Sequence, residues 1–132
     1  MNTYIISSAI IKYSNKYLIG KRTKTKKFDP DKWEFISGFI DTSESAEEII
    51  LREVFEETSL NGKIIKTGKP IELIEENSTR WIILPFIVEV NSSKTKLNKN
   101  DHQELRWVNL NELMLNTDIK EELNEFKKQK LI

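Results

Sequence analysis

Seven of the residues between Asp41 and Leu60 are acidic (Asp41, Glu44, Glu47, Glu48, Glu53, Glu56 and Glu57), and Arg52 is their only basic companion. Like charges three and four positions apart on a helix repel by a few tenths of a kcal/mol per pair. Carboxylates that are even partly buried also need a compensating cation or hydrogen-bond donor. A hard divalent cation meets both needs, because magnesium takes oxygen ligands and commonly bridges one or two carboxylates to a substrate phosphate. The segment therefore reads as a metal-binding helix, against the plainer alternative of a charged, solvated one.

Composition narrows the remaining chemistry. The 132 residues include no cysteine and a single histidine, His102, which excludes disulfides, thiolate sites, cysteine nucleophiles and multi-histidine metal centres. Carboxylate, lysine, arginine and hydroxyl groups are left. Lys plus Arg equals Asp plus Glu at 21 each, so overall charge gives no reason to expect nucleic acid or a membrane as partner. No run approaches the roughly 18 apolar residues of a membrane span. The opening MNTYIISSAIIKYSNKY lacks the basic start and small-residue cleavage site of a secretory signal. The expectation is one cytoplasmic domain over residues 1–132, a size that buries roughly two thirds of the unfolded chain's surface.

The acids must be held by a frame. From Ser45 to Thr58 the pattern is helical, and SAEE forms a capping box with Ser45 as N-cap and Glu48 reaching back. On a wheel of about 100° per residue, Glu53 and Glu57 share a sector with Ala46, Ile49 and Ile50, so both are expected to face protein or a cleft. Leu51, Val54, Phe55 and Thr58 form the expected core face, and Glu48, Arg52 and Glu56 the solvated stripe. Tyr4 to Ile11 and Tyr17 to Lys21, separated by SNK, read as a hairpin. KRTKTKKFDPDK is a loop, and Trp33 to Ile36 a short strand ending near Gly38. Further strands are expected at Lys63 to Lys66, Ile71 to Glu75, Arg80 to Val90 and Glu104 to Val108, with an amphipathic helix from Asp118 to Lys130. NSSKTKLNKN reads as a solvated, locally disordered loop. Strands interleaved with two helices predict an α/β or α+β fold with a mixed sheet between helices.

The spacing of the acids is more specific than their number. Gly38, five residues, Glu44, seven residues, then Arg52, Glu53, Val54, Phe55, Glu56, Glu57, Thr58, Ser59 and Leu60 closely resembles the signature of the Nudix hydrolases, G-x5-E-x7-R-E-U-x-E-E-x-G-U with U aliphatic. A tryptophan-led strand before it, and HQELRWVNLNEL after it, are similar to the family's strand and short helix. Ser59 departs from the pattern, standing where a glycine ends the helix in a left-handed conformation. Serine there costs about 1 kcal/mol, and Asn61 and Gly62 offer an alternative stop. Ser37 and Ser43 replace two further common glycines.

The resemblance implies an α/β/α sandwich that cleaves a nucleoside diphosphate linked to another group, using Mg2+ with Mn2+ as a substitute. It implies Glu56 and Glu57 as metal ligands, and Glu53 as a further ligand or the general base. Arg52 would orient a glutamate through a bidentate bond, while Glu44 and Gly38 shape the loop at the helix start. A base from outside the helix is also seen in the family; Asp101 and Glu104 are the candidates, with an exposed loop acid as the equal alternative. Arg22 is a candidate phosphate contact within a run of lysines that otherwise reads as a solvated loop. One of Phe28, Trp33 or Trp81 is a candidate for stacking on a purine, although tryptophans at such positions more often belong to the core. His102 reads as a hydrogen-bonded strand residue.

A proline that tends to mark ADP-ribose cleavage is replaced by Glu75, and a tyrosine that tends to mark dinucleoside polyphosphate cleavage by Asn77. By elimination the substrate is a (d)NTP or modified nucleotide. ADP-ribose, dinucleoside polyphosphates, nucleotide sugars and a non-catalytic nucleotide-binding role are the alternatives. Isopentenyl diphosphate isomerases share the fold but use an active-site cysteine, and a protein-docking role for the acidic helix predicts indifference to metal. Many members of the family dimerise, which leaves a homodimer open.

Overall fold

The two β-branched runs at the start of the chain pair as expected, in a computed structural model that describes residues 1–132. Strands β1 (Asn2–Tyr13) and β2 (Lys16–Arg22) form an antiparallel hairpin with Ile11 opposite Leu18. The expected strand at Trp33 to Ile36 is instead two, β3 (Trp33–Glu34) on β2 and β4 (Ile36–Phe39) on β1. Phe35 lies between them and is buried, so the chain changes partner strand where this ring turns into the core.

After helix α1 (Ala46–Thr58) come β5 (Gly62–Thr67), β6 (Ile71–Ile74) and β7 (Thr79–Val90), then β8 (His102–Val108). Strand β7 runs parallel to β1, with β5 and β6 antiparallel along its other edge and β8 antiparallel to β2. Three helices are present, not two: a short α2 (Leu110–Leu115), capped by Asn109 and Glu112, precedes α3 (Lys120–Lys128). No helix is long and apolar enough to cross a membrane.

The central strands bury both faces. Ile10, Ile19, Ile83 and Ile87 point to one side, where they meet Leu113 of α2 and Leu123 and Phe126 of α3. Their neighbours Ala9, Ile11, Leu18, Phe86 and Val88 point to the other, where they meet Ile50 and Val54 of α1. Period-two alternation along continuously apolar strands thus makes two cores, and the mixed sheet lies between helices.

The buried face of α1 differs from the expected arc. Ile49, Ile50, Val54, Glu57 and Thr58 are buried, whereas Phe55 is half exposed. The face is rotated towards Glu57 because the helix fills a groove between the sheet and the cleft described below. The capping box forms as expected, and Ser7 Oγ donates to Ala46 O at 2.9 Å, fastening the helix start to β1.

The helix ends at Ser59 itself, not at Asn61 or Gly62. Ser59 adopts φ 63° and ψ 21°, and its amide donates to Phe55 O. A serine in the left-handed region carries a Cβ penalty that glycine lacks. Ser59→Gly is therefore expected to stabilise the protein by about 1 kcal/mol. The check is the urea midpoint, which should rise with an unchanged denaturant slope.

The loop expected to be solvated and disordered is tied to this helix end. Lys96 N donates to Thr58 O at 2.9 Å, Asn98 Nδ2 to Glu56 O at 3.3 Å, and Trp107 Nε1 to Ser93 O at 2.9 Å. Carbonyls of the last helical turn, which have no partner within the helix, are satisfied by the loop. That loop delivers Asp101 to the cleft.

Candidate active site

Arg52 organises the acids of α1. Its Nε and Nη2 grip the two oxygens of Glu44 at 3.1 and 2.8 Å, while Nη1 reaches Glu53 at 3.2 Å and Glu56 at 3.4 Å. The planar fork makes the Glu44 contact bidentate. It holds the Glu44 carboxyl below its ordinary pKa and Arg52 firmly protonated. The loop before the helix and the turn of helix from Arg52 to Glu56 are thereby locked together. Thr42 completes the loop, accepting from the Glu44 amide at 3.2 Å.

Glu53 and Glu57 turn into a cleft of about 770 Å3. Gly38 on β4 permits this: a Cβ there would lie 2.5 Å from Glu53 Cγ. Gly38→Ala is expected to displace the Glu53 side chain and cut turnover about tenfold, since small misplacements of reacting groups are costly. Steady-state kinetics beside a thermal melt would check it, with turnover reduced and the melting midpoint nearly unchanged.

Burial pushes the Glu53 carboxyl above its ordinary pKa, and the charge of Glu56 adds to this. Glu57 is pushed well above, first by burial and then by the charge of Glu34, with Glu53 and Asp101 contributing. The charges of Glu34, Glu53 and Asp101 repel that of Glu57, and both Glu53 and Glu57 are held against ionisation. A divalent cation relieves that repulsion, so the residues present fit one.

Asp101 lines the same cleft, where Lys26 donates to it at 3.3 Å. Glu104 does not reach the cleft. It is half exposed on β8 and paired with Arg106 at 2.8 Å, beyond the irregularity where the β2–β8 register shifts between His102 and Glu104. Glu56 is half exposed at the outer edge, facing Arg52. Arg22 lines the cleft, yet its guanidinium is engaged by Phe28 O at 2.8 Å and Glu34 at 2.7 Å. It acts as a strut of the wall, not as a free arm for phosphate.

Phe28 and Trp33 both line the cleft, as does Trp81. Phe28 packs edge-on against Trp81 at 5.1 Å and Tyr4 at 5.0 Å, forming an aromatic wall with Phe39. Trp33 is partly covered by the Arg106 guanidinium at 4.8 Å. Glu75 accepts from Trp81 Nε1 at 2.8 Å and orients that ring.

Glu34 and Glu122 escaped the sequence reading, whereas His102 is the hydrogen-bonded strand residue expected. Glu34 accepts from Arg22 and sits 2.8 Å from His102 Nε2. His102 is fully buried, and its Nδ1 lies 3.7 Å from Glu57. Glu122 of α3 accepts from Ser8 Oγ at 2.5 Å at the cleft floor, and burial pushes its carboxyl up to about 7. The last carried a legible signal: Glu122 is three residues after Ile119 and four before Phe126, on the apolar stripe of its helix.

A mixed sheet between helices, with a forked arginine and clustered carboxylates at one end of a cleft, matches a known class. The family described as NUDIX domain matches residues 3–129, and the chain belongs to it. An RNA pyrophosphohydrolase from Shewanella denitrificans is 28% identical over 116 residues, 72% of this chain and 65% of that protein. The chain therefore spans just under two thirds of this curated relative. Among solved structures, a MutT protein from Methanosarcina mazei superposes with a TM-score of 0.81 at 22% identity, covering 98% of this chain and 96% of that one. The Nudix domain of Shewanella oneidensis NrtR, solved with ADP ribose, gives 0.78 at 16% identity over 100% and 90%. An Ap4A hydrolase from C. elegans gives 0.77 at 16% identity over 95% and 93%. At such identities the superpositions establish the fold.

Proposed function

We propose that the chain is a Mg2+-dependent pyrophosphohydrolase acting on a (d)NTP or modified nucleotide. The observation that carries this reading is the convergence of Glu53, Glu57 and Asp101 on a single cleft whose other wall is aromatic. Its volume lies in the range of small-molecule sites, roughly 300–1,000 Å3.

Glu53, Glu56 and Glu57 are the residues that would hold the metal. When bound, the ion screens the pyrophosphate charge and lowers the pKa of a coordinated water. Arg52 fixes Glu53 and Glu56 in place, and Gly38 leaves room for Glu53 to enter the cleft. Asp101, on its tethered loop, is the base candidate from outside the helix, alongside Glu53 itself. Phe28 and Trp81 offer apolar faces to a base.

Besides the acids of α1, the cleft is lined by Glu75, Glu76, Asp118 and Glu121. Acids there favour the amino and imino donors of a nucleobase and repel further phosphate. This supports one nucleoside with its phosphates at the α1 end, in preference to a dinucleoside polyphosphate.

The test is product release with Mg2+ against canonical and oxidised nucleoside triphosphates, triphosphorylated RNA ends, ADP-ribose, dinucleoside polyphosphates and nucleotide sugars, with Glu57→Gln as the blank. Turnover of nucleoside triphosphates, lost in the blank, is expected. Turnover confined to another class would overturn the substrate assignment, and tight nucleotide binding with no turnover would overturn the activity.

A further inference from the structure

The only buried side-chain nitrogen or oxygen without a hydrogen-bond partner in the molecule is Nδ1 of His102. Leaving such a group unsatisfied costs about 1–3 kcal/mol, so its orientation calls for a cause. Packing holds the ring in place. His102 is fully buried, and its edge lies so close to Gly20 that a Cβ there would meet Cδ2 at 2.6 Å.

Bonding fixes the tautomer. Glu34 lies 2.8 Å from Nε2, and its other oxygen accepts from Arg22 at 2.7 Å. A carboxylate paired with a guanidinium can only accept, so the imidazole hydrogen resides on Nε2. Nδ1 is then a bare lone pair. It faces Glu57 Oε1 at 3.7 Å, too far for a hydrogen bond.

Arg22, Glu34 and His102 reproduce the arrangement by which proteins prepare a metal-binding histidine. One ring nitrogen donates to an anchored carboxylate, which fixes the ring and makes the other nitrogen a better ligand. Two donors on one first-row ion, each bonded at about 2.1 Å, can stand up to about 4.2 Å apart. The observed separation falls within that span, and carboxylate oxygens of Glu34 and Glu57 lie within 4.8 Å of the ring's donor atoms.

We propose that His102 Nδ1 and the Glu57 carboxylate together hold a divalent transition-metal ion, a nitrogen–oxygen position on the buried side of Glu57. The proposal rests on the reading of Glu57 as a metal ligand. Imidazole nitrogen favours ions late in the first-row series, such as Zn2+ and Co2+, over Mg2+, which prefers oxygen. The centre is thereby selective at this position, with the oxygen ligands of the outer cleft left to the harder ion.

Because His102 is the sole histidine, protein labelled with nitrogen isotope only at histidine gives one pair of ring signals. The metal-free chain is titrated with Zn2+ and then, separately, with Mg2+, with calorimetry alongside. The expected result is a large displacement of the Nδ1 signal by Zn2+, retention of hydrogen on Nε2, and little movement with Mg2+. In His102→Gln, Zn2+ affinity should fall by about tenfold or more; if that variant does not fold, the wild-type spectrum decides alone. Zn2+ binding that depends on Glu57 but leaves both ring signals unmoved overturns the proposal and spares Glu57 as a ligand. Zn2+ and Mg2+ binding unaffected by Glu57→Gln, or no binding of either, overturns both.

Discussion

Replacing Glu57 by glutamine is expected to cut turnover by at least about a hundredfold to a thousandfold and to leave the metal-free protein folded and more stable than wild type. The two effects share one cause. Glu57 is almost entirely buried, and burial, Glu34, Glu53 and Asp101 all oppose its ionisation. A carboxyl whose folded pKa is raised contributes stability below the unfolded pKa and loses it as pH rises through the folded value. At pH 8 in a chelating buffer, well above the ordinary carboxylate range, the wild-type chain has therefore lost stability that this group contributes at low pH. Glutamine keeps the shape and sheds the charge. Thermal melts in that buffer should rank the variant above wild type. Added Mg2+ should raise the wild-type midpoint more than the variant's, because a ligand stabilises the fold that binds it. An unfolded or destabilised variant would show that the carboxylate serves the structure instead.

That balance explains which parts of the site could be read from the sequence. The register of Gly38, Glu44, Arg52, Glu53, Glu56 and Glu57 was legible because all six lie within one short stretch, from the end of β4 through the lead-in loop to the helix. The bidentate contact of Arg52 was implied by the family resemblance, and Glu44 proved to be its partner. The wheel placed Glu57 towards the cleft, as found, but it put Phe55 on the core face, where the structure leaves it half exposed.

Groups that meet across long sequence separations were not legible. His102 and Glu34 are 68 positions apart, and Ser8 and Glu122 are 114 apart. Nothing local distinguishes a glutamate such as Glu34 in a short strand from a solvated one. Only the β2 to β8 pairing, which sets Arg22 opposite His102, brings the buried network together. Arg22 itself was read as a candidate phosphate contact because nothing near it in sequence pointed to Glu34 as its partner.

The pair furthest apart gives the second large effect, a pH dependence of stability carried by Glu122. Burial raises this carboxyl from 4.5 to about 7, and the Ser8 hydrogen bond, which favours the ionised form, only partly offsets it. The protonated group therefore contributes stability that is complete below about pH 4.5 and is lost as pH climbs through 7. A shift of this size corresponds to about 3 kcal/mol at most, and the side chain is not wholly withdrawn from water, so about 2 kcal/mol is expected. Glu122→Gln can still accept from Ser8 and does not titrate. Unfolding free energies in urea, measured for both proteins at pH 5 and pH 8, should show wild type losing about 2 kcal/mol more than the variant. Ser8→Ala removes the bond that favours ionisation, so it should push the transition to higher pH. A wild type and Glu122→Gln that change in parallel across this range would mean that water reaches the carboxyl freely and that the cleft floor is open beneath α3.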